Sequence, residues 1–286
     1  MKKLFLSILV LISANAGIAQ DYPSLLYRVT SPESNEASFI FGTMHVSDSS
    51  IVAMADDLLN YIDSTVVFCN EIDLTDNQPD QSMFTNMVFA SQAERDSIYS
   101  AEDQALITEF ADKKMPGMGQ MMLTLKPFWV MATIVEMDMQ IDANQVLDVQ
   151  LQVAAESLGK LVRPLETLES QMGAINEVPL KEQRDMLVDY LNDYENQTDL
   201  SGKMTEAYIN KDLDGVYAVY TSNAFGNEME KQLVFERNVE MTEKLVEIHK
   251  INPFFCAVGA LHLPGKGGMI ELLEEAGFTV EPVILN

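Results

Sequence analysis

The apolar and polar positions of the amino-terminal third predict two strands, a helix and a third strand. Residues 25–31 (LLYRVTS) and 37–45 (ASFIFGTMH) are apolar runs separated by a polar, proline-containing segment, which predicts a hairpin. Residues 49–62 (SSIVAMADDLLNYI) have the period of a helix, and residues 64–74 (STVVFCNEIDL) form another apolar run. This strand, helix, strand order predicts a parallel pair of strands.

The middle of the chain has the pattern of amphipathic helices. One short strand-like segment, residues 160–167 (KLVRPLET), interrupts them and is preceded by Gly159, a residue typical of helix ends. After the helices, residues 253–263 (PFFCAVGALHL) and 278–285 (FTVEPVIL) predict two more strands, with a glycine-rich turn and a short helix between them. The carboxyl end therefore repeats the arrangement of the amino end.

These elements predict the fold class α/β, with a mixed, largely parallel sheet and an extensive helical middle region. No linker rich in glycine, proline or serine and no short repeat divides the chain. We therefore expect a single domain over residues 20–286, with a helical insertion or cap at about residues 80–160 and 170–250.

Residues 1–19 (MKKLFLSILVLISANAGIA) have the features of a secretory signal peptide. Two lysines precede an apolar stretch that is too short to span a bilayer with these flanks, and small residues surround Ala19. An uncleaved membrane-anchoring helix is the alternative. No later segment has the apolar length of a membrane span, so we expect an exported protein, periplasmic or extracellular, without a span after signal removal.

The chain of 286 residues carries a formal net charge of −26. This balance argues against nucleic acid as a partner, because phosphate binding needs clustered lysine and arginine. Cys69 and Cys256 each lie in an apolar run, which favours buried thiols, although export also allows a disulfide.

Two of the three histidines follow a glycine by three residues at the end of an apolar run. These are His45 in IFGTMHV and His262 in AVGALHL. The glycine would let another backbone or a substrate approach the strand end closely. The third, His249, stands at the end of a long helix, where an imidazolium would complement the helix dipole, and we place it outside the site.

Four metal-capable side chains are expected where strands end: His45, His262, Glu71 and Glu166. The carboxyl ends of parallel strands meet at one rim of a sheet, so the four could converge on one cleft. Two imidazoles with one or two carboxylates and a position for water are typical of a catalytic metal set. Such a set would bind a divalent ion such as manganese, cobalt or zinc, and Glu71 could ligate it or act as a general base for hydrolysis.

Each of these side chains also has a purely structural interpretation. A histidine at a strand end is often only hydrogen-bonded within the core, and either carboxylate could cap the segment that follows it. Arg237 and Asn238 lie in the segment FERN on a long amphipathic helix. The guanidinium could bind a substrate carboxylate or a developing oxyanion, or it could form an exposed salt bridge.

Five motifs, in this order, resemble the TraB/GumN family, which includes the Tiki metalloproteases. The motifs are FGTMHV, NEID, LDVQLQVAAESLGKLVRPLETLESQ, ERN and AVGALHLPGKGGMIELLEEAGFTVEPV. The resemblance implies a fold similar to erythromycin-esterase-like and ChaN-like proteins, with a divalent-metal site. It also implies the residues of that site, with a core of His45, Glu71 and His262 and supporting roles for Glu166, Arg237 and Asn238.

One motif departs from the family pattern. Family members often have a glycine and an aspartate at the start of the helix before the LET strand, whereas this chain keeps only Asp148. We therefore assign that turn no role.

The leading functional hypothesis is an exported metal-dependent hydrolase, a peptidase with a peptide or protein substrate and with Glu71, Arg237 and Asn238 as catalytic residues. The alternative is a non-catalytic peptide-binding or sequestering protein of the same fold. A third hypothesis is a scaffold in which the two strand-end histidines serve only core hydrogen bonds.

Overall fold

The computed structural model of the chain describes residues 22–74, 81–139, 142, 145–222 and 231–285. The signal peptide predicted at residues 1–19 lies outside the described residues. Within them, no helix has the length and apolar character needed to cross a membrane.

Six strands of the described chain form one mixed sheet. They are β1 Leu26–Ser31, β2 Ser34–Thr43, β3 Val67–Asn70, β4 Leu161–Pro164, β5 Phe254–Gly259 and β6 Thr279–Val283. Their order across the sheet is β4-β3-β5-β2-β1-β6. β2, β5, β3 and β4 pair in parallel, whereas β1 is antiparallel to both β2 and β6. The predicted α/β class with a mixed, largely parallel sheet is confirmed.

The helices follow the predicted periods, with breaks at several joins. They are α1 Ser49–Val52, α2 Met54–Asp63, α3 Gln81–Met87, α4 Gln92–Ile98, α5 Ala101–Lys114, α6 Gly119–Met122, α7 Pro127–Asp138, α8 Leu147–Ser157, α9 Leu168–Glu177, α10 Leu180–Asn192, α11 Tyr194–Ile209, α12 Leu213–Ser222, α13 Glu236–His249 and α14 Met269–Glu275. A π-helical turn, Lys231–Phe235, leads into α13, and a 3-10 turn, Ala260–His262, follows β5. The helix predicted over residues 49–62 is divided at Ala53 between α1 and α2.

Gly159 follows α8, as the sequence predicts. Its φ of 70° lies in the left-handed region, and the Lys160 N–H donates to the Ala155 carbonyl at 3.0 Å, a bond typical of glycine-terminated helices. β4 begins at Leu161, so this turn sets where the chain re-enters the sheet.

The central strands are covered on both faces. Every residue of β3 and the first five residues of β5 are buried, which requires a packing layer on each side of the sheet. α2 and α8 pack against each other and against β5, and α13 contacts both β5 and α14. A second, smaller hydrophobic cluster lies among α5, α7 and α10, where Ile107, Val130 and Leu187 are buried. The domain boundaries remain a prediction.

His249, the last residue of α13, is part of the main core. Its Nδ1 lies 2.8 Å from Ser38 Oγ, and its ring packs against Phe254 and Phe278. Burial lowers the pKa of His249. This environment disfavours the imidazolium that the helix-dipole interpretation requires.

Cys69 and Cys256 are free thiols that pair in register on β3 and β5. Both are fully buried, and burial raises the pKa of each thiol. The interpretation of both residues as buried thiols therefore agrees with the structure.

Candidate functional site

The ends of four parallel strands bring the predicted site residues to one edge of the sheet. Thr43 ends β2 opposite Gly259, the end of β5, and Asn70 ends β3 opposite Pro164, the end of β4. The residues that follow these ends are His45 after β2, Glu71 after β3, Glu166 after β4 and His262 in the turn after β5. This edge is where ligands bind in parallel sheets.

Asn238 on α13 fixes the orientation of His262. The Asn238 Nδ2 donates to the Gly267 carbonyl at 2.8 Å, so its Oδ1 faces His262 Nδ1 at 2.6 Å. Because an amide oxygen only accepts, Nδ1 must carry the proton and Nε2 must have a free lone pair. Burial lowers the pKa of His262, which favours this neutral ring. Its Nε2 lies 3.7 Å from Glu71 Oε1, so two acceptors face each other.

Glu71 is held by donors from three different elements. Its Oε1 accepts the Gly259 N–H at 2.8 Å, and its Oε2 accepts from Arg237 Nη2 at 2.5 Å and from Gln171 Nε2 at 3.1 Å. Burial alone would raise the pKa of Glu71, whereas a protonated His262, the Arg237 guanidinium and the Gly259 N–H together would lower it to about 2; with His262 neutral, the guanidinium and the N–H still act to lower it. The carboxylate is therefore ionised at neutral pH.

Arg237 bridges two carboxylates at the strand ends. Its Nε lies 3.0 Å from both oxygens of Glu166, and its Nη2 lies 2.6 Å from Glu166 Oε2 and 2.5 Å from Glu71 Oε2. Nη1 donates to the Leu233 carbonyl at 2.9 Å. These contacts favour a positioning role for Arg237 and Glu166. The exposed salt bridge predicted from the sequence is wrong, because the Arg237 side chain is only 15% exposed and that of Glu166 only 1%.

Asp148, which the sequence interpretation left without a role, lies beside His45. It is in the first turn of α8, and its Oδ1 accepts from Thr43 Oγ1 at 2.5 Å. Its Oδ2 lies 3.2 Å from His45 Nδ1, but it is buried and has no hydrogen bond from any described residue. Burial raises the pKa of Asp148, and the charge of Glu71 raises it further. The His45 side chain is 58% exposed and forms the open side of this pair.

Asn70 is a second buried residue with an unbonded oxygen. Its Nδ2 donates to Gln152 Oε1 at 2.6 Å, and the same oxygen accepts the Leu74 N–H at 2.9 Å. Because the atom that accepts both bonds must be an amide oxygen, the orientations of both amides are defined. Asn70 Oδ1 is buried and has no hydrogen-bond partner in the described part of the chain.

These residues surround one small pocket at the strand ends. His45, Asn70, Glu71, Asp148 and Gln171 line it, together with Ile72, Leu74 and Ala257, and its volume is about 60 Å³. We call it the strand-end pocket. At about 30 Å³ per water, it has room for roughly two water-sized ligands.

The predicted metal set is not present as a preformed cluster. Among the residues described above, no group of three or more His, Cys, Asp or Glu side chains lies close enough to hold a metal ion. His45, Glu71 and Asp148 do share the strand-end pocket, and His262 faces Glu71 from one side. Glu166 instead has both oxygens on Arg237.

The glycines of both G-x-x-H motifs allow close packing, as the sequence predicts, although what approaches them is protein rather than substrate. A Cβ on Gly42 would lie 2.9 Å from Ala260 Cα, which is backbone. A Cβ on Gly259 would lie 3.3 Å from Glu71 Oε1 and 3.5 Å from His262 Cδ2. Gly42 thus allows β2 to pack against the turn that carries His262.

A larger cavity of about 730 Å³ opens beside the strand-end pocket. Its walls come from Val46, Ser47 and Asp48, which directly follow His45, and from α7, α10 and α11. We call it the α7–α11 cleft. Its volume is within the range of ligand-binding clefts.

Comparison with known proteins identifies the family. The model of the TraB/PrgY/gumN family matches residues 25–282, which is most of the chain. The chain belongs to the TraB/PrgY/gumN family. The resemblance inferred from the five motifs is confirmed.

Curated relatives of this TraB/PrgY/gumN member are distant. The uncharacterized protein YbaP of Shigella flexneri is 24% identical over 243 residues, which cover 84% of this chain and 88% of that protein. YbaP of Escherichia coli strain K12 is 23% identical over the same shares of both chains. Metalloprotease TIKI2 of Danio rerio is 25% identical over 191 residues, 54% of this chain and 36% of that protein. No solved structure matches the chain, so similarity to erythromycin-esterase-like and ChaN-like folds stays an expectation.

In this TraB/PrgY/gumN protein, reasoning from the sequence missed three polar residues of the strand-end pocket, Asn70, Asp148 and Gln171. Asn70 stands next to Glu71 in the NEID motif, where a polar residue ending a buried strand was a usable signal. Asp148 was visible as an acid in the first turn of a helix, but its contact with Thr43 depends on how α8 packs against the sheet.

Proposed function

We propose that this chain is a metal-dependent hydrolase that cleaves peptide bonds, with a divalent cation bound at the strand-end pocket. One observation carries the proposal. Asn70 Oδ1 is a buried side-chain oxygen without a hydrogen-bond donor, Asp148 Oδ2 is buried with only the exposed His45 Nδ1 near it at 3.2 Å, and both residues line the same small pocket. Buried polar atoms are nearly always paired, so an unbonded amide oxygen and a buried carboxylate oxygen around one pocket favour a cation as their partner.

The residues around the pocket have the side-chain chemistry that such a cation prefers, and they would have to move closer together to share one ion. We assign as ligands His45, Glu71, Asp148 and Asn70, which line the pocket, together with His262, whose Nε2 faces Glu71 from outside it. Imidazole nitrogens mixed with carboxylate and amide oxygens suit manganese, cobalt or zinc. Glu166, a ligand in the sequence hypothesis, is assigned to hold Arg237 because both of its oxygens accept from that guanidinium.

The surrounding residues orient these ligands. Asn238 keeps the Nε2 lone pair of His262 facing Glu71, as outer hydrogen bonds do for metal-binding histidines. Arg237 and the Gly259 N–H hold the ionised Glu71 in place. Thr43 holds one oxygen of Asp148, which leaves the other free beside His45.

When bound, the cation would supply a water of lowered pKa and polarise the substrate carbonyl. His45 is the exposed member of the set, so substrate would enter on its side. Arg237 and the Gly259 N–H lower the pKa of Glu71, which makes this carboxylate a weak proton acceptor and favours ligation over a general-base role.

Two further features support peptide bonds as substrate and export as the setting. A relative named Metalloprotease TIKI2 is 25% identical over 191 residues. The leader-like segment at residues 1–19 supports a periplasmic or extracellular location, where peptides are available.

A peptide-library digest tests this function. The purified chain is treated with a chelator, reloaded with manganese, cobalt or zinc, and incubated with a mixed peptide library whose new termini are identified by mass spectrometry. We expect metal-dependent cleavage, with a loss of roughly 100-fold or more in His45→Ala, since removal of a ligand should cost at least as much as removal of its supporting residue. The exposed position of His45 makes this substitution compatible with folding, and the thermal midpoint of the variant checks this.

Cleavage at the wild-type rate by His45→Ala, or no cleavage with any of the three metals, would contradict the hydrolase. The second candidate, a non-catalytic peptide-binding protein, is favoured by the α7–α11 cleft, which could hold a peptide without turnover. Recovery of bound peptides intact from the metal-loaded chain would support that candidate.

A further inference from the structure

We propose that the α7–α11 cleft binds a lysine- or arginine-bearing segment of the peptide substrate. The inference rests on the proposed function for the identity of the ligand as substrate. The wall of the cleft includes Val46, which directly follows His45 of the strand-end pocket along the chain, so the two sites lie close together. The volume of about 730 Å³ exceeds that of the strand-end pocket by an order of magnitude and accommodates several side chains.

Hydroxyl groups of α11 present acceptors to the cleft. Thr198, Ser201 and Thr205 stand at helical spacing along one face of this helix and line the cleft. Thr198 Oγ1 donates to the Tyr194 carbonyl at 3.0 Å, and Thr205 Oγ1 donates to the Ser201 carbonyl at 3.0 Å. Because these protons are used within the helix, the two oxygens can only accept from a ligand.

The charged groups of the cleft also favour a ligand with donor groups, and one that is positively charged. Asp48, Asp138 and Glu206 line it, and no lysine or arginine is among its described lining residues. Asp48 caps α1 and Asp138 pairs with Lys114, whereas no side-chain partner of Glu206 is found in the described part of the chain. Glu206 is therefore the carboxylate available to a ligand.

An aromatic ring completes the acceptor surface. Tyr190 lines the cleft, and the face of a phenol ring attracts ammonium and guanidinium groups. Fixed hydroxyl acceptors, a carboxylate and an aromatic face all select a ligand that is a donor and a cation. Among peptide side chains, lysine and arginine have both properties.

Gly202 allows the cleft to be filled without disturbing the fold. It lines the cleft in the middle of α11, and a Cβ built on it meets no atom within 4 Å. A tryptophan at this position would enter open space and occupy part of the cleft. Gly173 in α9 is equally unobstructed but does not line the cleft, which makes Gly173→Trp the matched control.

Fluorescence anisotropy tests the inference independently of catalysis. The probe is a fluorescein-labelled peptide, Ala-Lys-Ala-Lys-Ala, compared with its norleucine analogue, which keeps the aliphatic stem without the charge. Binding is measured on the chelator-treated chain at about 150 mM salt, where the long-range attraction of the acidic surface is screened beyond about 8 Å. This measurement reports binding and not cleavage. Absence of hydrolase activity and absence of selectivity in the cleft can therefore be told apart.

We expect the lysine peptide to bind about tenfold more tightly than the norleucine peptide, the sum of one exposed ion pair and one cation–π contact. Glu206→Lys should abolish this preference. Gly202→Trp should weaken binding of the lysine peptide, whereas Gly173→Trp should leave it unchanged. Glu109→Lys, the same charge change at an exposed glutamate of α5 outside the cleft, controls for net charge.

Equal affinity for the two peptides would overturn the proposal. Equal weakening by Glu206→Lys and Glu109→Lys would also overturn it, since attraction would then depend on net charge alone. Unchanged binding in Gly202→Trp would place the peptide elsewhere and overturn it as well.

Discussion

Asn238 Oδ1 lies 2.6 Å from His262 Nδ1, and this contact determines which nitrogen of the imidazole faces Glu71. The Asn238 amide is oriented in turn by its bond to the Gly267 carbonyl at 2.8 Å. A residue of α13 thus fixes the tautomer of a histidine that follows β5. Without this bond, His262 could carry its proton on Nε2 and donate to Glu71, which would remove it as a ligand.

Replacing Asn238 should therefore weaken metal binding more than it weakens the fold. We expect Asn238→Leu to lower manganese affinity by about 10- to 100-fold, as loss of an outer partner of a metal-binding histidine does. Isothermal titration calorimetry on the metal-free chain measures this change.

Gln183→Leu is the matched control for Asn238→Leu. Gln183 is also a buried amide, but it bonds the Ile175 and Val178 carbonyls at the end of α9. The Gln183→Leu variant should be less stable than wild type but should bind manganese with unchanged affinity. An equal loss of affinity in both variants would show that Asn238 has no specific role in the site.

Arg237 and Glu166 should be strongly coupled in stability. Their side chains are 15% and 1% exposed, so removal of one partner leaves the other charge buried without its counterion. We expect Arg237→Met to lower the free energy of unfolding by about 3 kcal/mol. A double-mutant cycle of Arg237→Met with Glu166→Gln should give a coupling free energy above about 1 kcal/mol.

Urea unfolding of the two single variants and the double variant measures that coupling. The exposed pair Lys181 and Asp185 is the reference, with an expected coupling of about 0.3–0.5 kcal/mol. If the Arg237 and Glu166 variants are additive, the guanidinium does not hold the carboxylate as described.

Two glycine-to-alanine substitutions should have opposite effects on stability. Gly42→Ala places a Cβ 2.9 Å from Ala260 Cα, so the backbone must move. We expect this substitution to lower the free energy of unfolding by about 1–3 kcal/mol. A Cβ on Gly173, in helix α9, meets nothing within 4 Å. Gly173→Ala should therefore raise the free energy of unfolding by about 0.5–1 kcal/mol. Thermal and urea unfolding check both signs, and a neutral Gly42→Ala would argue against close packing of β2 on the turn after β5.

Asp103 should make stability depend on pH. It accepts the Ser100 N–H at 2.9 Å and pairs with Arg184 at 3.1 Å, and these contacts offset burial and lower the pKa of Asp103. Because its pKa is lower in the folded state, its contribution is complete above the unfolded value of about 3.9 and is lost as pH falls through the folded pKa.

Urea unfolding from about pH 7 to about pH 3 tests this dependence. The difference between wild type and Asp103→Asn should be about 1–2 kcal/mol at neutral pH and should shrink below about pH 4. A difference that is constant across this range would mean that the Asp103 charge does not contribute to stability.

The fold class and the strand-end histidines could be predicted because their signals are local. Alternating and apolar runs define each strand, and the carboxyl ends of parallel strands share an edge, so the pattern alone predicts His45 and His262 at that edge. The turn at Gly159 was likewise readable from one residue.

The contacts that define the site could not be predicted, because they join distant segments. Arg237 reaches Glu166 across 71 positions and Glu71 across 166, and Thr43 reaches Asp148 across 105. No pattern in the sequence specifies these distances. The unbonded oxygen of Asn70 and the contact of Asp148 with His45 are properties of packing, since they become apparent only when all nearby groups are placed.

The most direct test of a cation at the strand-end pocket is metal content by inductively coupled plasma mass spectrometry. Wild type, Asp148→Asn and Asp103→Asn are each reconstituted with manganese, cobalt or zinc and dialysed; both substitutions neutralise a buried aspartate, but only Asp148 lines the pocket. The account predicts about one ion per chain in wild type and in Asp103→Asn and a large loss in Asp148→Asn. Absence of metal from wild type, or equal metal in all three, would contradict it.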